Sequence, residues 1–187
     1  AVLTRYYRIN LRGQEFIAGH LCQVVALEPR DEYRYTRLLW VDTASRLPLK
    51  LDVINEDGQS VEQMVFTTLD TRSQVTSKDL EPVAHASMGV TQVSHRETLA
   101  LESLNWTLMD VPDGFQMVSY STLRKPPSTV PVEQILLSDG FSAVSVYIEP
   151  REGRQPSGPR RMGAVNVNSI DFHGHLVTVM GEVPLKT

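Results

Sequence analysis

The side chains best suited to chemistry in this sequence are two neighbouring histidines, and their spacing gives weak support for a metal site. His173 and His175 flank Gly174. Two imidazoles two residues apart on a strand would point to the same side and could together bind a metal ion. The alternative is a hairpin turn over 173–175, which we favour because no carboxylate or cysteine lies at ligand spacing nearby. We therefore expect no metal site and no cofactor.

The carboxylates are dispersed along the chain, and many of them lie in turn sequences. There the side chain usually bonds its own backbone. The residues concerned are Glu15, Asp31, Asp42, Asp57, Asp113 and Asp139. The sequence also lacks GxSxG, a glycine-rich phosphate loop, CxxC and HExxH. With no paired acid, base and nucleophile, we expect a protein that is not an enzyme.

Basic charge is concentrated between Pro150 and Gly163. The segment carries Arg151, Arg154, Arg160 and Arg161 against Glu152. The planar guanidinium group suits phosphate and carboxylate, so a lipid headgroup or an acidic peptide could bind here, although a solvated, mobile loop is the alternative. The whole chain has a formal net charge of -4, which argues against a nucleic-acid partner.

A strand hairpin over residues 33–53 organises the first half of the chain. Leu47, Leu49, Leu51 and Val53 alternate with polar residues or proline, which is typical of a strand with one buried face. With a turn at Ala44-Ser45, residue 42 faces 47, and Trp40, Leu38 and Arg37 face Leu49, Leu51 and Asp52. This register predicts Trp40 and Leu49 on one apolar face and Arg37 beside Asp52 on the other.

The flanking sequence extends this hairpin into a five-stranded meander. We predict strands at 3–11, 16–27 and 61–69, with turns at 13–15 and at Asn55-Glu56-Asp57-Gly58. Met64 and Phe66 then join the apolar face of the hairpin. Such a face needs a cover of helices, another sheet or a ligand. The one cysteine, Cys22, is expected to be a buried hydrophobe.

The second half of the chain follows a polar segment and is again rich in strands. Residues 71–103 lose the alternation and are predicted to be a linker, with one helical turn after Ser77. Strands are predicted at 115–124, 132–137, 141–148, 164–170 and 176–183. The turn at Ser138-Asp139-Gly140 places Ile135 opposite Val144, and Trp106 is expected in the core.

Several runs of the sequence resemble one known family. They extend from Glu15 to Phe66 and include VPDGF at 111–115, PVEQILLSDGFSAVSV at 131–146 and VTVMGEVP at 177–184. In this order they resemble the RseB/MucB family, whose members are periplasmic negative regulators of the envelope-stress sigma factor in Gram-negative bacteria. The resemblance covers nearly all of the chain and passes through both halves in the same order.

The resemblance implies a mainly β chain, α+β in the full family, with two domains. Residues 1–75 would form the second half of an antiparallel, curved, LolA-like lipid-binding sheet that is incomplete at its N-terminus. Residues 76–103 would be a linker, and residues 104–187 a small antiparallel-sheet regulator domain that lacks its last helix. The family pattern has further elements before Ala1 and a helix after Pro184, so we expect the chain to be part of a longer protein.

The resemblance also implies a function without catalysis. Family members bind the periplasmic segment of a transmembrane anti-sigma factor, protect it from regulated proteolysis, and release it on binding lipid or lipopolysaccharide. We expect the same partners and a periplasmic location for this chain, with a homo-oligomer left open. The alternative is a periplasmic lipid or lipoprotein carrier of the LolA/LolB type, because a fold does not fix a function.

Two groups of residues are the predicted binding sites. The lipid-binding face comprises Leu38, Trp40, Leu49, Leu51, Met64 and Phe66. Aromatic side chains are expected to anchor the partner, while arginines at the rim adjust its affinity. The candidates for partner binding are Tyr33, Tyr35, Phe115, Met117, Tyr120, Arg160 and Arg161.

Overall fold

The first half of the protein is an antiparallel meander of five strands. The computed structural model describes residues 3–70, 74–80, 95–124, 130–151, 153 and 157–187. A short helix, α1 (Leu3–Tyr6), leads into the sheet, whose strands pair in chain order. They are β1 (Tyr7–Ile17), β2 (His20–Pro29), β3 (Thr36–Asp42), β4 (Pro48–Ile54) and β5 (Ser60–Val65).

The second half is an antiparallel sheet of seven strands. They are β6 (His95–Leu99), β7 (Gln116–Arg124), β8 (Val132–Ser138), β9 (Ala143–Pro150), β10 (Gly158–Met162), β11 (Val165–Phe172) and β12 (His175–Gly181). Their order across the sheet is β10-β11-β12-β9-β8-β7-β6. Two 3-10 helices, Ser77–Leu80 and Leu101–Ser103, complete the described elements. The predicted fold class, mainly β with two antiparallel sheets, is confirmed.

Two boundaries differ from the sequence prediction. The turn predicted at 13–15 is an irregularity inside β1, between Leu11 and Gln14. The chain reverses instead at Ala18-Gly19, where both φ angles are positive (49° and 80°), as in the two-residue turns that match the twist of a hairpin. Strand β6 lies inside the predicted linker 76–103, of which residues 81–94 fall outside the described residues.

The predicted register of the organising hairpin is correct at the turn and wrong beyond it. Near the turn the N–H of Asp42 bonds the carbonyl of Leu47 at 2.9 Å, as predicted. A bulge between Trp40 and Val41 then shifts the pairing by one residue, so that Trp40 faces Lys50. Because side chains alternate with period two, a one-residue shift moves every later side chain of β4 to the other face.

Each sheet has its own apolar core, and one further cluster joins the two sheets. Cys22, Val24, Trp40 and Leu49 form the core of the first sheet. The core of the second sheet comprises Phe115, Tyr120, Ile135, Leu137, Val144, Val146, Ile148 and Val183. The cluster between the sheets contains Tyr35, Val53 and Ala164. Apolar contact between the sheets is therefore small compared with the contacts within them.

The β8–β9 hairpin keeps the predicted faces in a shifted register. Ile135 pairs with Val146 rather than with Val144, which pairs with Leu137. The difference is two residues, because the turn is longer than the predicted one, and an even shift leaves each side chain on its face. None of the helices in the described part of the chain has the length and apolar character needed to span a membrane.

Candidate binding surfaces

The first surface is the junction between the two sheets, which is centred on a buried arginine. Arg34 lies in the bend before β3, and its side chain is 0% exposed. Its Nε donates to Asp139 at 2.5 Å, and its Nη2 donates to the carbonyl of Asp113 at 2.6 Å. Its Nη1 pairs with Asp31. Arg34 thus connects the first sheet to two separate turns of the second half of the chain.

Aromatic rings surround the same guanidinium group. Its central carbon lies 4.7 Å from the ring centroids of both Tyr6 and Phe115, a distance at which cation–π attraction operates. The hydroxyl of Tyr7 donates to Asp139 at 3.0 Å, and burial raises the pKa of Tyr7 to about 12. We call these residues the Arg34 cluster: Tyr6, Tyr7, Asp31, Arg34, Asp113, Phe115 and Asp139.

Asp139 stays ionised in the cluster although it is buried. Burial would raise the pKa of its carboxyl group, but hydrogen bonds to the carboxylate outweigh that effect and lower the pKa from its usual value. The backbone N–H groups of Phe141 and Ser142 donate at 2.8 and 2.7 Å, and Arg34 and Tyr7 add two side-chain donors. The ion pair with Arg34 is therefore charged at neutral pH.

A second set of polar contacts joins the sheets near the end of β10. The hydroxyl of Tyr35 accepts hydrogen bonds from Asn166 at 2.7 Å and from Arg161 at 3.1 Å. Arg37 donates to Ser142 at 3.0 Å and lies 3.6 Å from Glu182. Both Tyr35 and Arg37 are at most 5% exposed, whereas the side chains of their partners Arg161 and Glu182 are 37% and 41% exposed.

The second surface is an apolar row that crosses the first sheet. Register places one apolar residue of each strand directly opposite the next, in the order Leu11, Val25, Leu39, Leu51 and Met64. With neighbouring strands about 4.8 Å apart, the row is roughly 19 Å long. Leu11 and Met64 are 71% and 59% exposed, and the three residues between them are half-buried. We call these five residues the apolar row.

The apolar row borders the junction. Leu51 packs against the cluster of Tyr35, Val53 and Ala164 that joins the sheets. A second row lies two residues further along each strand. We call it the junction row, and it comprises Ile9, Leu27, Arg37, Val53 and Glu62. The two rows share one face of the sheet, so a ligand on the apolar row would lie beside the contacts of the second half of the chain.

A third surface is an apolar groove on the second sheet. The segment Trp106–Pro112 and the faces of β9, β11 and β12 enclose about 350 Å³. Ile170 and Phe172 contribute side chains that are 50% and 47% exposed. Trp106 packs edge-on against His175 at 5.2 Å, and its indole N–H donates to Glu133 at 3.2 Å. As predicted, Trp106 packs against the core of the second sheet.

The structure divides the predicted lipid-binding face between the two sides of the sheet. Leu38, Trp40 and Leu49 lie together on one side, where Trp40 and Leu49 are 5% and 1% exposed. Leu51 and Met64 pair with each other on the opposite side. The N–H of Phe66 bonds the carbonyl of Leu49, and the Phe66 side chain is 45% exposed. The prediction of one common face is therefore wrong, because the bulge beside Trp40 reverses the later part of β4.

The predicted pairing of Arg37 with Asp52 is wrong for the same reason. Arg37 faces Val53, and Asp52 faces Leu38. Asp52 instead accepts a hydrogen bond from Ser60. Arg37 does lie on the side opposite Trp40, as predicted, but that side is occupied there by the second half of the chain.

The predicted partner-binding aromatics are mostly core residues. Tyr35, Phe115 and Tyr120 are 1%, 7% and 4% exposed, and a buried side chain offers little area to a partner. Tyr120 donates to Glu133 at 2.5 Å. Tyr33 and Met117 are half-buried. Whether any of them contacts a partner stays a prediction.

The two arginine candidates differ although they are neighbours. Much of the predicted loop 150–163 is strand β10, and residues 152 and 154–156 lie outside the described residues. Arg160 is exposed. Arg161 bonds Tyr35 and lies 3.4 Å from Glu56, so it belongs to the junction.

The predicted turn at His173-Gly174-His175 is observed. It joins β11 to β12, with φ angles of 48° at His173 and 78° at Gly174. The His175 ring lies 3.2 Å from the carbonyl of His173. Among the described residues, no group of three or more histidine, cysteine, aspartate or glutamate side chains could hold a metal ion.

The sequence analysis missed the residues that matter most at the junction. Arg34 lies within a stretch read as a strand, and Asp139 within a turn where its backbone bonds explain it locally. Their separation of 105 residues leaves no periodic signal. One sequence signal could have pointed to the junction: Arg34 is flanked by tyrosines and acidic residues, and it lies between two strands.

Comparison with known families assigns the two halves of the chain to two domains of one family. The family model described as the MucB/RseB N-terminal domain matches residues 1–84, and the model described as the MucB/RseB C-terminal domain matches residues 100–187. The chain belongs to the MucB/RseB family. The two models match in the same order as the two sheets, and strand β6 lies between the two matched ranges.

Named relatives agree with this assignment. The sigma factor AlgU regulatory protein MucB of Pseudomonas aeruginosa is 34% identical over 191 residues. The sigma-E factor regulatory protein RseB of Escherichia coli K12 is 30% identical over 189 residues. Each alignment covers 99% of this chain, but only 59% of MucB and 58% of RseB. The chain therefore spans less than two thirds of these relatives.

Solved structures of MucB resemble the whole arrangement of two sheets. The crystal structure of MucB in complex with MucA(peri) gives a TM-score of 0.76 at 31% identity, covering 100% of this chain and 66% of that one. The complex structure of Pseudomonas aeruginosa MucA/MucB gives 0.75 at 32% identity, covering 99% and 62%. A crystal structure of MucB gives 0.68 at 30% identity, covering 100% and 61%.

Proposed function

We propose that this chain is the binding portion of a periplasmic regulator of the MucB/RseB type. It binds the periplasmic segment of a transmembrane anti-sigma factor, protects that segment from regulated proteolysis, and releases it when lipid or lipopolysaccharide binds. It acts by binding, without catalysis. The observation that carries the proposal is the agreement of both sheets, in one arrangement, with MucB in complex with MucA(peri) at a TM-score of 0.76.

The direct test is binding by the full-length protein. We expect isothermal titration calorimetry with the purified periplasmic segment of the anti-sigma factor to give one saturable binding event. In the same preparation, the bound segment should resist the protease that first cleaves it. A segment that neither binds nor gains protection would contradict the proposal.

We further propose that lipid binds along the apolar row. This proposal keeps the predicted lipid function and changes its residues, because the predicted Trp40 and Leu49 are buried in a core. Each CH₂ group of an acyl chain that leaves water contributes roughly 0.8 kcal/mol. A row of five apolar side chains with two exposed ends supports this role.

Two neighbouring residues of β5 provide a matched test. Met64 belongs to the apolar row, whereas Val65 pairs with Lys50 on the opposite side and is 44% exposed. Met64→Asp should weaken binding of a fluorescently labelled fatty acid to the full-length protein roughly tenfold or more, since a buried methionine contributes about 1.5–3 kcal/mol. Val65→Asp should leave the affinity unchanged. Equal effects of the two substitutions would contradict the assignment of the row.

The alternative function, a periplasmic lipid or lipoprotein carrier, is favoured by the same apolar row. A carrier would pass bound lipid to an acceptor membrane or protein, and a regulator would retain it while losing the anti-sigma segment. The second sheet and its buried polar junction support the regulator, because a carrier needs only the first. Adding the fatty acid to a complex with the anti-sigma segment separates the two: dissociation of the segment supports the regulator.

A further inference from the structure

Arg34 joins several segments of the chain through a single side chain. Its three donor nitrogens reach three different chain segments: the bend that holds Asp31, the turn at Asp113 and the β8–β9 turn at Asp139. The guanidinium group is planar and directs its donors at fixed angles. Satisfying all three acceptors together therefore defines how the turns of the second sheet are placed against the first.

The turn that contains Gly114 approaches Arg34 and Tyr6 closely. Gly114 has a φ of +92°, and a Cβ atom at this position would lie 2.6 Å from the Tyr6 ring and 2.8 Å from Nη2 of Arg34. Only a residue without a side chain permits this approach. The backbone of the 112–114 turn thus packs directly on the arginine.

Apolar contacts alone do not specify this placement. Two of the three apolar clusters lie within single sheets, and the cluster that joins the sheets contains Tyr35, Val53 and Ala164. Burial of apolar area is non-directional. A buried ion pair has the opposite properties, since its net contribution to stability is small while its geometry is strict.

We propose that Arg34 is a positioning residue, which sets the orientation of the second sheet against the first through Asp139 and the Asp113 carbonyl. The proposal rests on the proposed function in one respect: the orientation determines affinity for the anti-sigma segment. A two-sheet protein with little apolar contact between its sheets needs such a residue to hold one arrangement.

The test uses the full-length protein with one spin label on each sheet. Gln63 in β5 and Asn168 in β11 are exposed, so Gln63→Cys and Asn168→Cys provide label sites. Within this chain the natural Cys22 is buried, which keeps it from competing for the label. The distribution of distances between the labels reports orientation, and urea unfolding reports stability separately.

Three variants separate orientation from stability. Arg34→Met and Asp139→Leu each leave an unpaired buried charge, so both should lower the midpoint of urea unfolding. The double variant, Arg34→Met with Asp139→Leu, has no unpaired charge in the pair and should recover much of the stability. We nevertheless expect a broadened distance distribution in the double variant. If the competent orientation falls to about a tenth of the population, affinity for the anti-sigma segment falls about tenfold.

The outcomes separate this proposal from the proposed function. A double variant with the narrow distribution of the wild type would overturn the positioning role, whatever its affinity. A broadened distribution with unchanged affinity would support positioning of the sheets but overturn its link to binding. If the wild type itself fails to bind the segment, the proposed function fails, and the label distances still decide whether Arg34 sets the orientation.

Discussion

The junction row and the apolar row lie side by side on one face of the first sheet, yet they differ in chemistry and in exposure. In the junction row, Arg37 and Val53 are 5% and 0% exposed, and Arg37 bonds the second half of the chain. On the same two strands of the apolar row, Leu39 and Leu51 are half-buried. At the ends of the rows, Leu11 and Met64 are 71% and 59% exposed, against 44% for Ile9 of the junction row. Directional polar bonds suit a permanent neighbour in one geometry, whereas an open apolar row accepts ligands of variable shape.

The largest effect is expected at the centre of the junction. Arg34→Met should lower the free energy of unfolding by about 3–5 kcal/mol, because it leaves the buried Asp139 without its charged partner. Urea unfolding followed by circular dichroism measures the change. Arg160→Met, in exposed β10, is the matched control and should stay within about 0.5 kcal/mol. A similar loss of unfolding free energy in both variants would show that the buried ion pair of Arg34 does not account for the effect.

A fall in pH should lower the free energy of unfolding of the unmutated protein, because protonation of Asp139 also breaks its ion pair with Arg34. The folded protein holds the pKa of Asp139 below its usual value. The unfolded carboxyl has a pKa of about 3.9, so this contribution to stability is complete above that pH. It is lost as the pH falls through the lowered pKa. In Asp139→Leu, this part of the acid dependence should be absent, and an unchanged pH profile would contradict it.

A smaller loss is expected from the neutral part of the junction. Tyr35→Phe removes the hydroxyl that accepts hydrogen bonds from Asn166 and Arg161. Asn166 is 5% exposed, and leaving a buried donor unsatisfied costs about 1–3 kcal/mol. Thermal unfolding checks this value, with Tyr33→Phe as the control, since Tyr33 is half-buried and bonds Asp31 and Thr187 through its backbone. Equal losses would contradict the role given to the Tyr35 hydroxyl.

Substitutions of the two adjacent arginines of β10 should have different effects, because Arg161 bonds residues of the junction. Arg161→Ala removes bonds to Tyr35 and Glu56 and should destabilise the protein by about 1 kcal/mol. Arg160→Ala should not change stability measurably, but it should reduce the salt dependence of binding to an acidic segment, because exposed charges act mainly through screened attraction. Titrations at two salt concentrations distinguish them. The reverse pattern would indicate that Arg160, and not Arg161, makes the more important contact.

The smallest effect on stability is expected in the apolar row. Met64→Asp replaces an exposed side chain and should change the free energy of unfolding by no more than about 0.5 kcal/mol, while it weakens fatty-acid binding. Unfolding in urea without lipid provides the measurement. A loss of several kcal/mol would mean that Met64 is part of a core and that the row is not a free surface.

The strands and most turns could be predicted because their signals are local. Alternating apolar residues mark β4, and Asn55-Glu56-Asp57-Gly58 forms a turn in which Asn55 accepts hydrogen bonds from the N–H groups of Asp57 and Gln59. The family could also be identified, since its motifs run through both halves of the chain in order. The strands, the turns and each single family motif depend on residues within a few positions of one another, which is the range over which sequence pattern determines backbone conformation.

Which side chains share a face and which charges are buried was decided by the tertiary structure alone. The bulge beside Trp40 moved Leu51 and Met64 away from Leu49, because one extra residue in a strand reverses every side chain that follows. Arg34 and Asp139 meet across 105 residues, at 0% exposure for both side chains. Local patterns contain no information about such a pair, since its formation depends on how two complete sheets pack.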